Sequence, residues 1–166
     1  PYPIPPMRNV KVGLMSLSRA KVESAERISI PCPFKWPEST CNLKRCLLVE
    51  KLPISGSDKK LVVINLHLEA YDSGEGRAKQ TKALLDVMEQ EYEAGNYVVA
   101  GGDFNQSFSS ADVSKFEIGN IGLWTPGRLD VTGFQRDFNL YMDVSTPTCR
   151  SLDRAYDKND SSFQYY

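Results

Sequence analysis

Asp103 and Asn105 stand two residues apart in the stretch NYVVAGGDFNQS, residues 96 to 107, just after the apolar run Tyr97 to Ala100 and two glycines. In an extended segment, residues two apart point to the same side. A carboxylate oxygen and a carboxamide oxygen on one side are hard ligands, suited to magnesium or manganese. The carboxamide can instead donate to a phosphate oxygen. Gly101 and Gly102 would let backbone or substrate come close. A second reading stays open: Gly-Gly-Asp-x-Asn is good turn chemistry, because Asp and Asn cap their own backbone.

His67 is the only histidine in the chain, and it lies in LVVINLHLEA, residues 61 to 70. Strand alternation places Val63, Asn65, His67 and Glu69 on one face and Ile64, Leu66 and Leu68 on the other. The second set reads as core. The first grows polar toward its C-terminal end. An imidazole there could act as an acid or as a hydrogen-bond donor to phosphate. A half-buried histidine with satisfied bonds is the plainer alternative. If the two strands are parallel neighbours, His67 and Asp103 meet at one sheet edge, and ligand sites favour the C-terminal ends of such strands.

The elements that must hold these residues follow from patterning. VGLMSLS (12–18), ERISIP (26–31), LKRCLLVEKLPI (43–54) and LVVINLHLEA (61–70) read as strands. CPFKWPESTCN reads as a loop and SGSDKK as a hairpin turn. Four strands in succession suggest an antiparallel sheet. From Arg77 to Glu93, Leu84, Leu85, Met88 and Tyr92 recur at helical spacing, with Ala78 a turn earlier. Gly95 and Asn96 then stop the helix. Tyr97 to Ala100 reads as a buried strand, so this helix is a crossover. Beyond Ser107 the periodicity fades. GLWTPGRLDVTG and STPTCRSLDRAYDKNDSS look like loops, and the closing FQYY like a strand just begun. Trp124 reads as a loop anchor.

Composition narrows the classes. The 166 residues are 41% apolar and 25% charged, with a net charge of -1. That suits one domain with a real core and supplies no global field for nucleic acid or anionic membrane. No apolar run is long enough to span a bilayer. Four prolines in PYPIPP read as an extended connector. That opening suggests a piece of a longer protein. Cys32, Cys41, Cys46 and Cys149 lack C-x-x-C spacing, so they read as free thiols rather than a zinc ribbon.

VVINLHLEAYD, then GRAKQTKALLDVM, then YVVAGGDFNQSF together resemble the endonuclease/exonuclease/phosphatase superfamily. This is the metal-dependent fold of deoxyribonucleases, abasic-site endonucleases, neutral sphingomyelinases and inositol-phosphate phosphatases. Its pattern is an Asn-Thr-His-Leu strand, an Arg-x-x-Gln helix and Gly-Asp-Phe-Asn. This chain has Leu66 where the Thr is usual. VGLMSLSRAKV resembles the family's Gly-x-x-x-x-Ser segment. The match covers residues 12 to 108, and the tail is similar to a bacterial branch of the family.

The resemblance implies an α+β fold, part of a four-layer sandwich in which two mainly antiparallel sheets are flanked by helices. It implies hydrolysis of a phosphate ester by water, with Mg2+ or Mn2+ as cofactor. Asp103 would ligate metal or orient the water. Asn105 would ligate metal, position the water and bind phosphate. His67 would bind the phosphoryl oxygen or protonate the leaving oxygen. Asn65 would steady the neighbouring loop, and with Arg45 it completes the substrate-binding candidates. For Arg45 and Arg27, a surface strand arginine is the competing reading. Arg77 and Gln80 are structural in such proteins, and Arg77 could equally lie on a solvated helix face. Tyr71 and Asp72 could shape the cleft or simply form a turn.

The family also carries a metal-binding Glu upstream and an Asp and a Ser-Asp-His triplet downstream, outside this sequence. Residues 1–166 are therefore expected to form a single partial domain. By itself it would be inactive and would self-associate through uncovered faces. The substrate is left open among nucleic acid, phospholipid headgroup and sugar phosphate, since no interleaved basic and aromatic tract appears. The compartment is open too: cytoplasmic, or membrane-anchored or extracellular through a segment upstream. Two other readings remain. One is a degenerate member of the fold acting as a binding module. The other is an unrelated structural domain in which Gly-Asp-Phe-Asn is only a turn.

Overall fold

The computed structural model describes residues 2–4, 8–10, 12–40, 42–112, 127–143, 145 and 159. The chain divides into two compact units, Pro1–Asn105 and Gln106–Tyr166. Trp124, Cys41, Cys149 and the FQYY segment lie outside the described residues.

In the first unit, β1 (Tyr2–Ile4) pairs antiparallel with β2 (Arg8–Val10). The opening residues were expected to be an extended connector, and Tyr2–Ile4 are indeed extended, forming one strand of this pair. Proline is confined to edge strands or strand starts, where its missing N–H need not enter a ladder.

The main sheet has the order β3 (Ser24–Ser29), β4 (Cys46–Pro53), β5 (Lys60–His67), β6 (Tyr97–Asp103). The first two pairings are antiparallel and the last is parallel. The connection from β5 to β6 is α1 (Glu75–Glu93), whose length is what a parallel crossover requires. The fold is thus α+β, as the sequence implies.

The local chemistry sets the ends of these elements. β5 stops at His67, earlier than the apolar run suggests. The Glu69 carboxylate accepts the N–H groups of Ala70 at 3.0 Å and Tyr71 at 3.2 Å, which turns the chain away from the sheet. Helix α1 starts two residues before Arg77. The Asp72 carboxylate accepts the N–H groups of Gly74 and Arg77, both at 3.0 Å, satisfying donors that the first turn cannot use. Gly95, at φ +85°, closes the helix with its N–H on the Tyr92 carbonyl.

Leu47 and Val49 of β4 and Val62, Ile64 and Leu66 of β5 are buried, and so are Leu84, Met88 and Gln80 of α1. This is the alternation read from the sequence: the even-numbered side of β5 is core. Two expectations fail. Residues 12–18 form no strand. Val12, Met15 and Leu17 are exposed, and the Met15 carbonyl is taken by the side chain of Asn65 rather than by a ladder partner. Nor is the 97–100 stretch buried. Tyr97 and Val99 are each 56% exposed. Among the described residues, β6 ends the sheet with β5 as its neighbour. Its odd-numbered residues face away from the buried side of β5, on the face that carries His67 and Asp103.

In the second unit, β7 (Gln106–Phe108) pairs parallel with β8 (Gly127–Leu129). Phe108, Leu129, Val131 and Phe134 are buried. Residues 127–129 were expected to be loop. They are a short strand, and Arg128 extends the connection by donating to the carbonyls of Ser109 and Ala111. Three residues are too few for alternation to register in the sequence. Cys32 and Cys46 are free thiols. Among the described residues, no helix is long and apolar enough to cross a membrane.

Candidate active site

β5 and β6 are parallel and in a register that sets His67 directly beside Asp103. Paired residues of parallel strands share a face. His67 Nε2 lies 3.6 Å from Asp103 Oδ2. Both side chains reach solvent, at 43% and 59% exposure, so the pair forms a mouth rather than a core contact. The strand pairing continues one step beyond His67, where the Leu68 N–H donates to the Asp103 carbonyl at 2.8 Å.

Gly102 makes this approach feasible. Its φ is +145°, and a Cβ at this position would fall on the backbone carbonyl oxygen of Leu66. Only glycine lets β6 lie this close to β5 here.

Past Asp103 the chain turns. Asn105 adopts φ +51°, its N–H donates to Asp103 Oδ1 at 2.8 Å, and its Nδ2 donates to the Leu68 carbonyl at 2.9 Å. The sequence reading treated 103–105 as extended, with both side chains parallel. The left-handed residue overturns that. The turn and the site are one feature here: Asx-turn chemistry holds Asn105 against the end of β5.

Burial is the largest influence on His67. It lowers the imidazole pKa from its ordinary 6.5, and the Arg45 cation lowers it further. The Asp103 and Glu69 carboxylates pull the other way and do not win. Between the lowered pKa and 6.5 the unfolded chain holds a proton that the folded chain does not, so stability rises with pH in that window. Acidifying through about pH 6.5 is therefore expected to cost stability. Urea unfolding at several pH values checks this: the native chain should lose stability more steeply than His67→Gln. Parallel curves would show that His67 is not responsible.

The other candidates divide. Asn65 donates to the Met15 carbonyl at 3.1 Å and to Ser16 Oγ at 3.4 Å, so its amide holds the 12–18 segment. Arg45 is no surface strand arginine. It precedes β4, its side chain is 9% exposed, and its Nε lies 3.4 Å from Oε2 of Glu69. Arg27 is the exposed one, donating to Ser29 Oγ on β3. Arg77 is not on a solvated face either. Its Nε pairs with Asp72 Oδ1 at 2.8 Å, and both side chains are largely buried. Asp72 is a helix cap, and Tyr71 is exposed.

Glu69 was not singled out by the sequence reading. It is 2% exposed, pairs with Arg45, and caps the turn after β5. Its place on the polar face of the strand was visible. Its burial was not, because that depends on an arginine twenty-four residues upstream.

Asp103 and Asn105 supply one carboxylate and one carboxamide, hard oxygens that fit a divalent cation as part of its shell. Among the described residues, no three His, Cys, Asp or Glu side chains gather into a complete site.

No family model matches the chain, and no curated protein matches it either. Solved structures do. The catalytic domain of human Nocturnin with bound sulfate is 20% identical, with a TM-score of 0.40, over 60% of this chain and 35% of that one. TDP2 of D. rerio, complexed with a single-strand DNA product, is 26% identical, with a TM-score of 0.39, over 52% and 31%. A humanized D. rerio TDP2 is 24% identical, with a TM-score of 0.38, over 62% and 40%. The chain spans about a third of the length of the solved proteins it matches.

Proposed function

We propose that the whole protein hydrolyses phosphate esters with a divalent cation, Mg2+ or Mn2+, and that residues 1–166 contribute one part of its active site. The observation that carries this reading is the side-by-side placement of His67 and Asp103 at the C-terminal ends of parallel strands, 3.6 Å apart and open to solvent.

Asp103 and Asn105 would hold the cation through their side-chain oxygens. A bound cation would neutralise charge on the phosphate and the leaving oxygen. Asp103 also orients the attacking water by accepting its hydrogen bond. Asn105 is held in place by the Leu68 carbonyl and presents its carboxamide to water or phosphate. His67 meets the phosphoryl oxygen as a donor, or gives its proton to the leaving oxygen. Arg45, paired with Glu69 but with its cation still acting on His67, would add positive charge near the phosphate. Asn65 supports the site by holding the 12–18 segment. The substrate is a phosphodiester or monoester of nucleic acid, a phospholipid headgroup or a sugar phosphate.

One carboxylate and one amide bind such a cation weakly, so the 166-residue chain alone is expected to be almost inactive. Its exposed sheet face and the β6 edge, unpaired among the described residues, favour self-association. The test is turnover of bis(p-nitrophenyl) phosphate by the whole protein. Activity is expected with Mg2+ or Mn2+ and lost in excess chelator. Full turnover in chelator would refute the cation requirement. Tight Mg2+ binding and turnover by residues 1–166 alone would refute their partial role.

A further inference from the structure

The peptide unit joining Leu68 to Glu69 is held from both ends. Its carbonyl accepts from Asn105 Nδ2 at 2.9 Å, and its N–H donates to Gln80 Oε1 at 2.9 Å. Gln80 is fully buried on α1, and its Nε2 donates to the Pro31 carbonyl at 2.8 Å. A planar peptide cannot turn one end without turning the other. The orientation of the carbonyl that holds Asn105 is therefore coupled to a glutamine side chain on the crossover helix. The Glu69 carboxylate, through the N–H groups of Ala70 and Tyr71, keeps the following turn from relaxing the plane.

We infer that Gln80 is a positioning residue for Asn105, acting through the Leu68–Glu69 peptide. The inference rests on the phosphate-ester reading for its kinetic consequence, not for its geometry. Gln80 has no exposure to solvent and cannot touch substrate. Its oxygen and nitrogen each have one partner, and both partners are backbone groups, so its rotamer is determined from two sides. Asn105 sits at φ +51°, in the left-handed region that non-glycine residues seldom occupy. Loss of the Gln80 acceptor frees the peptide to rotate, and with it the carbonyl that restrains Asn105.

The experiment compares the whole protein with its Gln80→Met and Leu84→Ala variants. Leu84 is a fully buried neighbour on the same helix with no polar link to the site, and serves as the packing control. Three quantities are measured: the Asn105 side-chain amide resonances in 15N-labelled protein, the melting temperature, and kcat and KM on bis(p-nitrophenyl) phosphate. In Gln80→Met the Asn105 resonances should move toward free-amide positions. kcat should fall by about ten-fold or more with KM little changed, the size expected of a slightly misplaced catalytic group. Leu84→Ala should lose at least as much melting temperature while keeping the resonances and kcat. Unmoved Asn105 resonances in Gln80→Met would overturn the inference, and so would an equal kcat loss in Leu84→Ala. If the native protein turns over no diester and the resonances still move only in Gln80→Met, the phosphate-ester reading fails and the coupling stands. Should Gln80→Met not fold, hydrogen exchange of the native protein decides. Joint protection of the Glu69 N–H and the Asn105 side-chain amide supports the coupling, and free exchange of either overturns it.

Discussion

Replacing Asp103 by alanine is expected to lower phosphate-ester hydrolysis by the whole protein by roughly a thousand-fold, the size seen when one group that stabilises developing charge is removed. The Asp103 side chain is 59% exposed, so the fold should survive. The structural loss is the acceptor for the Asn105 N–H, a single exposed bond, worth about 1 kcal/mol. Asp103→Asn separates the two roles. Its side-chain oxygen can still accept the Asn105 N–H, so melting temperature should recover. Its charge is gone, so kcat should stay low. Steady-state kinetics and thermal melting on both variants check this. Recovery of kcat in Asp103→Asn would show that the carboxylate serves only the turn.

Gly102→Ala is expected to be the most damaging single-methyl change in the described chain. The new Cβ would be driven into the Leu66 carbonyl oxygen, and the backbone at φ +145° is one that alanine rarely adopts. Neither problem can be relieved locally, because Leu66 and Gly102 are register partners in the β5–β6 pairing that brings His67 to Asp103. Strain and lost pairing together should cost about 3 kcal/mol or more. For a chain of this size that lowers the melting temperature by roughly 6–12 °C. Gly101→Ala is the matched comparison. A Cβ there meets nothing, and its φ is not positive. It should change stability by less than about 0.5 kcal/mol, as surface substitutions usually do. Equal losses from the two variants, read by thermal or urea unfolding, would mean that the close approach at Gly102 is not what requires glycine.

Part of the arrangement around His67 and Asp103 was legible in the sequence. The alternation in residues 61–70 assigned Ile64, Leu66 and Leu68 to the core, because a strand has a strict period of two and one face must leave water. The helical spacing of Leu84 and Met88 placed the crossover, and a crossover of that length makes the flanking strands parallel. Given that the two strands are neighbours, which the sheet shows, His67 and Asp103 meet. The strand expected at 12–18 fails because apolar content says nothing about whether a ladder partner is present. Residues 97–100 looked buried for a similar reason: valine-rich segments read alike at the edge and at the centre of a sheet.

Other features belong to the tertiary structure alone. Arg45 read as a substrate-binding candidate or a surface strand arginine, and Glu69 only as one member of a polar strand face. Each is buried only because the other is there to compensate its charge, and no local pattern records a partner twenty-four residues away. The resemblance implied a structural role for Gln80 without saying what it holds. Its role depends on which backbone groups end within 3 Å of it, at Glu69 and Pro31. The amino-acid sequence by itself determined which residues could do chemistry and which strand ends would carry them, since residue type and periodicity are local properties. Only the packed chain decided how they are held: the close approach at Gly102, the left-handed turn at Asn105 and the peptide shared with Gln80 all depend on groups distant in sequence becoming neighbours.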